Sequence, residues 1–235
     1  MVSGEGNGRR VVALVRVSAA VGSRDPRRVR QELSRASRQA PLYQVEEAVL
    51  QSHLFVGFPG ALEALAIWRE LLSGDPVEQL PPVGPGRGEG RGEDPVGPEG
   101  WVRRGEETCR QVYGSVTDEL RRNIRALHPD MEAWMIRDGY GKVLGRPGLE
   151  LRDRELCVAA ILAALDAPVQ LRSHLRGALR TGADPEGVDR CLEEVMDVLG
   201  GELAPGHEER VRSTWAHVRD RFEDHEGTTG RSHVR

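Results

Sequence analysis

The stretch from Leu151 to Thr181, LRDRELCVAAILAALDAPVQLRSHLRGALRT, constrains this chain more than any other, because it sets single polar groups into otherwise apolar helical patterns. From Leu156 to Leu165 every residue is apolar, which predicts a helix buried on all sides. Asp153 is placed to cap that helix, and Glu155 falls in its first turn, in line with Ala159 and Leu162. Pro168 suits the first turn of a second helix, whose stripe of Leu171, Leu175 and Ala178 runs beside His174. Two antiparallel helices joined this tightly at Ala167-Pro168 are expected to bring Glu155 and His174 together as an acid–base pair.

Elsewhere the chain reads as helix after helix. RRVVALVRVSAAVG, from Arg9, is a buried helix in this reading, and residues 1 to 8 are expected to fray. Asp25-Pro26 opens a helix with Val29, Leu33 and Ala36 on one face. The segment from Leu42 carries Val45, Val49 and Ser52 to Val56, breaks at Gly57-Phe58-Pro59, and resumes with Leu62, Leu65 and Trp68 to Leu72 in register. From Ser73 to Arg104 Gly, Pro and charge are too dense to pack, so a flexible linker is expected. A helix from Glu106 to Leu127 follows, bearing Val112, Val116, Leu120 and Ile124; His128-Pro129 ends it and starts another. Asp184-Pro185 opens a helix that Gly200-Gly201 stops, and a last helix offers Val211, Trp215 and Val218 to the core. The tail, residues 225–235, is expected to be disordered. The fold class is all-α, arranged as an N-terminal helical unit (9–73), a linker (74–104) and a C-terminal helical unit (105–224).

Composition narrows the function classes. At 235 residues the chain is long enough to bury a sizeable core. Its net charge of −4 comes from interspersed charges of both signs, with no basic block to suggest nucleic acid. No stretch reaches the roughly 18 apolar residues of a membrane span, and no signal-peptide pattern opens the chain, so a cytoplasmic location is expected. Cys109, Cys157 and Cys191 are odd in number and far apart, which reads as buried free thiols and not as a disulfide framework. The histidines His207, His217 and His225 lie on or near the polar face of the last helix with no convincing ligand spacing, so no metal is expected.

Arg152-x-Arg154-Glu155-Leu156, a run of small apolar residues, then His174 nineteen positions after Glu155 and Ala178-Leu179-x-x-Gly182, resembles the signature of the carboxymuconolactone decarboxylase and alkyl hydroperoxidase D superfamily. Tyr140-Gly141 and Arg146-Pro147-Gly148-Leu149 resemble its lead-in. Where the peroxidase branch has its Cys-x-x-Cys pair this chain holds Ala167 and Gln170, so the resemblance favours the decarboxylase-like branch. Val45-Glu-Glu-Ala-Val-Leu-Gln with Gly57-Phe-Pro-Gly-Ala-Leu is similar to a family segment that ordinarily follows the histidine helix but here precedes it. Arg30-Gln-Glu-Leu-Ser-Arg-Ala in turn resembles Arg172-Ser-His-Leu-Arg-Gly-Ala, which sets Glu32 in the place of His174 and suggests two tandem half-repeats.

The resemblance implies a helical fold of the alkyl hydroperoxidase D type, a homo-oligomer with sites near subunit interfaces, and cofactor-free decarboxylation of a small carboxylated lactone in aromatic-compound catabolism. Under it, His174 gives a proton to carbon and Glu155 orients it. Arg146, Arg152 and Arg172 are the nearest cations for a substrate carboxylate, and His53 in the Gly-Phe-Pro hairpin is a further lining candidate. Without the resemblance, Glu155 reads as a solvent-turned carboxylate paired with Arg152 or Arg154, and His174 as a satisfied core histidine. Two other classes stay open: a thiol-dependent peroxide reductase, and a non-catalytic oligomeric scaffold favoured by the split motif.

Overall fold

A computed structural model describes residues 2–73, 97–201 and 203–229, with side chains described for 6–73, 97–201 and 203–222. Most of the linker expected between residues 74 and 104, and the last six residues of the tail, lie outside the described residues. The described chain is helical throughout, without a strand. Four helices form the first half: α1 (Val2–Ser23), α2 (Pro26–Ala36), α3 (Leu42–Gln51) and α4 (His53–Leu71). Then come α5 (Gly97–Tyr113), α6 (Thr117–Leu127) and α7 (Pro129–Trp134), the last running into a π-helix over Met135–Leu144. The second half closes the chain with α8 (Leu151–Ala164), α9 (Pro168–Arg180), α10 (Pro185–Leu199) and α11 (His207–Thr229).

The local signals act as the residues dictate. Asp25 caps α2, its carboxylate accepting from the Arg27 N–H at 2.9 Å, and Asp184 caps α10 through the Gly187 N–H at 2.6 Å. Proline occupies the first turn of α2, α7, α9 and α10, where its missing N–H has no intrahelical role. In α4 the backbone at Gly57 takes φ 72°, which bends the helix ahead of Pro59 and exposes Phe58. α8 is enclosed from Asp153 to Ala163: the apolar run from Leu156 is buried on all sides, as its pattern requires, and the charged Asp153, Arg154 and Glu155 are buried with it.

One apolar core runs through both halves. α1 lies along α8 and also meets α10, so the two units share a core and do not stand as separate bodies. α5 packs against the π-helix closely enough that a Cβ on Gly105 would overlap the Ile136 carbonyl, and one on Gly141 the Trp101 carbonyl. The i→i+5 hydrogen bond that defines a π-helix shows at its end, where Gly145 N–H donates to Tyr140 O at 2.7 Å.

Several sequence expectations are corrected. Asp153 is not the cap of α8: the helix begins at Leu151, the preceding Glu150 makes no side-chain cap, and Asp153 is buried against Arg10 at 2.5 Å and Arg152 at 3.0 Å. α5 starts at Gly97 and not at Glu106, and it approaches the π-helix closely at Trp101 and Gly105. The helix expected to run to Leu127 is broken by a 3-10 turn at Gly114–Val116, which leaves Val116 partly exposed. α1 extends back to Val2, and α11 carries its backbone to Thr229, into the expected tail. Leu62 lies at the surface beside Phe58, one turn away. His207 is buried, its Nε2 2.7 Å from Ala163 O.

Buried ion pairs stitch the elements together. Arg154, with no exposed surface, pairs with Glu47 at 2.9 Å, reaches Gln51 Oε1 at 3.2 Å and donates to the Arg146 and Pro147 carbonyls, tying α8 to α3. Arg16 pairs with Glu32 at 2.8 Å and also meets Glu194 and Asp197, joining α1, α2 and α10. Arginines are buried this deeply only where their charge is met.

Candidate active site

Glu155 sits in the second turn of α8 on the face toward α9, and α9 returns antiparallel to present His174. The two meet: Glu155 Oε2 lies 2.8 Å from His174 Nδ1. Glu155 is fully buried, while the His174 side chain keeps 9% of its surface exposed. A carboxylate at that distance accepts a hydrogen from Nδ1, so Nε2 is the nitrogen left to exchange a proton. No hydrogen bond engages Nε2 among the described residues. Glu155 Oε1 is likewise buried without a hydrogen-bond partner there.

The walls are built from several elements. Gly177, one turn beyond His174, supplies the space that Glu155 occupies: a Cβ on it would overlap Glu155 Oε2 and lie 2.7 Å from Val112 Cγ1. From α4, the Phe55 ring meets the His174 ring edge-on at 6.0 Å between centroids. The Tyr140 hydroxyl donates to that of Tyr113 at 2.9 Å. Burial pushes both phenols well above their usual range, and the charge of Glu155 adds in the same direction.

The other sequence candidates go elsewhere. Arg152 and Arg154, read as neighbours of Glu155, turn instead to Asp153 and to Glu47, so the partner of Glu155 is His174 and no arginine. Arg146 lies near the start of α8 with its Nε 3.1 Å from Glu47 Oε2. Arg172 is exposed, two residues from His174 and therefore on another face of α9. His53 holds the Leu50 carbonyl through Nδ1 at 2.6 Å and rests on Phe58, with ring centroids 5.4 Å apart. Glu32, equated with His174 in the half-repeat reading, is buried on Arg16.

Sequence reasoning missed Phe55, Gly177 and the Tyr113–Tyr140 pair. Phe55 lies unmarked within the run from Ser52 to Val56, and Gly177 offers no signal until the carboxylate beside it is located. The three cysteines are free and buried, and burial above all pushes each thiol up to about 12. Among the described residues, no group of three or more His, Cys, Asp or Glu is arranged to hold a metal ion, and no helix is long and apolar enough to cross a membrane.

Comparison with known proteins centres on the same helices. The model of the carboxymuconolactone decarboxylase family matches residues 129–206, which contain both Glu155 and His174. The chain is 31% identical over 155 residues to Peroxisomal protein 2 of Schizosaccharomyces pombe, covering 66% of this chain and 68% of the relative. It is 24% identical over 158 residues to Peroxisomal protein 2 of Saccharomyces cerevisiae, covering 61% of this chain and 56% of that longer relative. Over 91 residues it is 31% identical to 4-carboxymuconolactone decarboxylase of Acinetobacter baylyi, covering 38% of this chain and 68% of the enzyme. With the helical fold and the Glu155–His174 pair in place, these matches show that the chain belongs to the carboxymuconolactone decarboxylase family.

Proposed function

We propose that Glu155 and His174 form a cofactor-free acid–base pair that decarboxylates, or moves a proton on, a small carboxylated lactone-type molecule. The observation that carries this reading is the 2.8 Å contact of Glu155 with His174 Nδ1, which fixes the ring while Nε2 stays unengaged among the described residues. Loss of carbon dioxide from such a substrate leaves an electron pair that its own unsaturated carbonyl accepts as a dienolate. The protein then needs only to return a proton to carbon. His174 delivers it from Nε2 as the imidazolium and is left neutral, to take up a proton from solvent before the next turnover, while Glu155 holds Nδ1–H and balances the imidazolium charge. The similarity to a bacterial decarboxylase supports this choice of reaction. A thiol mechanism is disfavoured by three buried thiols held protonated at neutral pH.

Loss of ultraviolet absorbance from γ-carboxymuconolactone, measured for wild type and His174→Ala, tests the reading. Turnover by wild type that disappears in the variant supports it. Equal rates in both proteins, or none in either at high enzyme concentration, remove it.

A homo-oligomer belongs to the same proposal. Phe58 (70% exposed) and Leu62 (60% exposed) form one apolar face on α4, and Leu127, Met131 and Trp134 form a second around the α6–α7 junction. Light scattering of wild type and Phe58→Glu is expected to show an assembly that the variant weakens. The cytoplasmic location read from the sequence stands beside two relatives named for the peroxisome, and fractionation of tagged protein decides between them.

A further inference from the structure

A cleft of about 710 Å³ opens where α1, α3, α5 and the loop leading into α8 converge. Three guanidiniums from three separate elements line it: Arg10 of α1, Arg104 of α5, and Arg146 of the loop. Each is held in place by protein oxygens. Arg10 donates to Gln44 at 2.7 Å and to Asp153 at 2.5 Å, Arg104 to Gly141 O at 2.6 Å, and Arg146 Nε lies 3.1 Å from Glu47. Tyr43, Thr108 and Gln111 add hydroxyl and amide groups, and Leu144, Leu149 and Leu151 give the cleft an apolar side.

The helix ends around the cleft add to its positive character. Glu150 makes no side-chain cap on α8, and Pro41 makes none on α3, so the first-turn N–H groups of both helices lack a capping side chain where they meet the cleft. Glu107 and Glu150 also line it, both turned to solvent. Behind the Arg146–Gly148 loop, Glu47 Oε1 and Arg154 Nε are buried polar atoms without a hydrogen-bond partner among the described residues. Gly148 packs directly on that carboxyl, since a Cβ there would lie 3.1 Å from Glu47 Cγ.

The cleft shares two helices with the acid–base pair. Leu151 lines it, and Glu155 lies one turn further along the same face of α8, about 6 Å along the helix axis. Thr108 lines it, and Val112, which borders the space of Glu155 at Gly177, lies one turn further along α5.

We infer that this cleft is a receptor for a small oxyanion, a carboxylate or phosphate on a compact apolar or unsaturated body, gripped by Arg104, Arg146 and Arg10. The volume suits a single small molecule and not a polymer. Preoriented guanidiniums recognise planar oxyanions through paired N–H donors. That the anion is the substrate rests on the acid–base reading of Glu155 and His174; that it binds does not.

Thermal-shift and calorimetric titrations of the full chain with phthalate and, separately, with inorganic phosphate test the inference. A saturable stabilisation of wild type and of His174→Ala is expected, with affinity reduced about tenfold or more in Arg104→Gln. Because Arg104 also holds the Gly141 carbonyl, Gln111→Glu, an exposed change that places a negative charge in the cleft, is expected to weaken binding similarly with the fold intact. Tighter binding of phthalate identifies a carboxylate on an apolar body, and tighter binding of phosphate a phosphorylated ligand. No saturable response to either anion, or binding kept by both cleft variants and lost in Arg172→Gln, overturns the assignment. Phthalate binding without turnover of γ-carboxymuconolactone leaves the cleft standing and removes the acid–base reading; turnover without a cleft response does the reverse.

Discussion

The α1–α2 and α8–α9 hairpins are alike in build and different in what they enclose. The register that sets Glu32 against His174 also sets Pro26 against Pro168, and Val29, Leu33 and Ala36 against Leu171, Leu175 and Ala178, all six of them buried. It pairs Arg24 (φ 57°) with Asp166 (φ 54°), the non-glycine residues in left-handed backbone among those described. Both hairpins thus turn through a left-handed residue two positions before the proline that starts the next helix. Inside the first lies Arg16 on Glu32, a guanidinium against a carboxylate; inside the second lies Glu155 on His174, a carboxylate against an imidazole. The scaffold is shared, and the chemistry depends on which two side chains meet within it.

Breaking the first pair should have the larger effect on stability. Arg16→Met removes the closer of two cations from buried Glu32, leaving Arg35 at 3.4 Å, and a loss of about 3–5 kcal/mol is expected from the shift in the urea midpoint. Arg16→Met with Glu32→Leu should recover much of that loss; failure to recover would mean that the other partners of Arg16, Glu194 and Asp197, carry the effect.

The second pair should fail through function. Gly177→Ala puts a methyl group where Glu155 Oε2 now lies and is expected to cost about 1–3 kcal/mol in denaturation, with turnover reduced further than stability alone explains. Unchanged turnover in a folded Gly177→Ala protein would show that the position of Glu155 does not matter.

The two turns differ as well. Arg210, by its hydrogen bonds, holds the Asp166 carboxyl below the usual carboxylate range, whereas Arg24 has no acidic group to titrate in the same place. A depressed folded-state pKa gives stability that is present above the unfolded value, near 4, and lost as pH falls through the folded one. Acid titration followed by circular dichroism should therefore show a shallower loss below about pH 4 in Arg210→Ala than in wild type. The smallest expected effect is a null one. Cys157 and Cys191 belong to the second hairpin and its neighbour, yet with thiols pushed up to about 12 neither they nor Cys109 should react with a disulfide reagent at pH 8 until the protein is unfolded.

What the sequence made legible was local. The caps at Asp25 and Asp184, the proline-started helices, the break at Gly57 and the Glu155–His174 meeting all depend on residues close together or on one tight hairpin. What it concealed depends on distant partners. Nothing near Arg154 announces that Glu47, over a hundred residues earlier, will bury it, and nothing near His174 announces Phe55. Asp153 looked like a cap because its type and position suit one, but Arg10 and Arg152 claim it. The start of α5 at Gly97 was hidden for a related reason: Trp101, at the end of a Gly- and Pro-rich stretch, packs on Gly141, forty residues later.

The most direct test of the difference between the two hairpins is the tautomer of His174, read from nitrogen-15 shifts of the ring at a pH where it is neutral. Hydrogen on Nδ1 and a bare Nε2, with that preference lost in Glu155→Leu, is the result predicted here. Hydrogen on Nε2 in wild type, or a tautomer indifferent to Glu155, would contradict the acid–base pair at its centre.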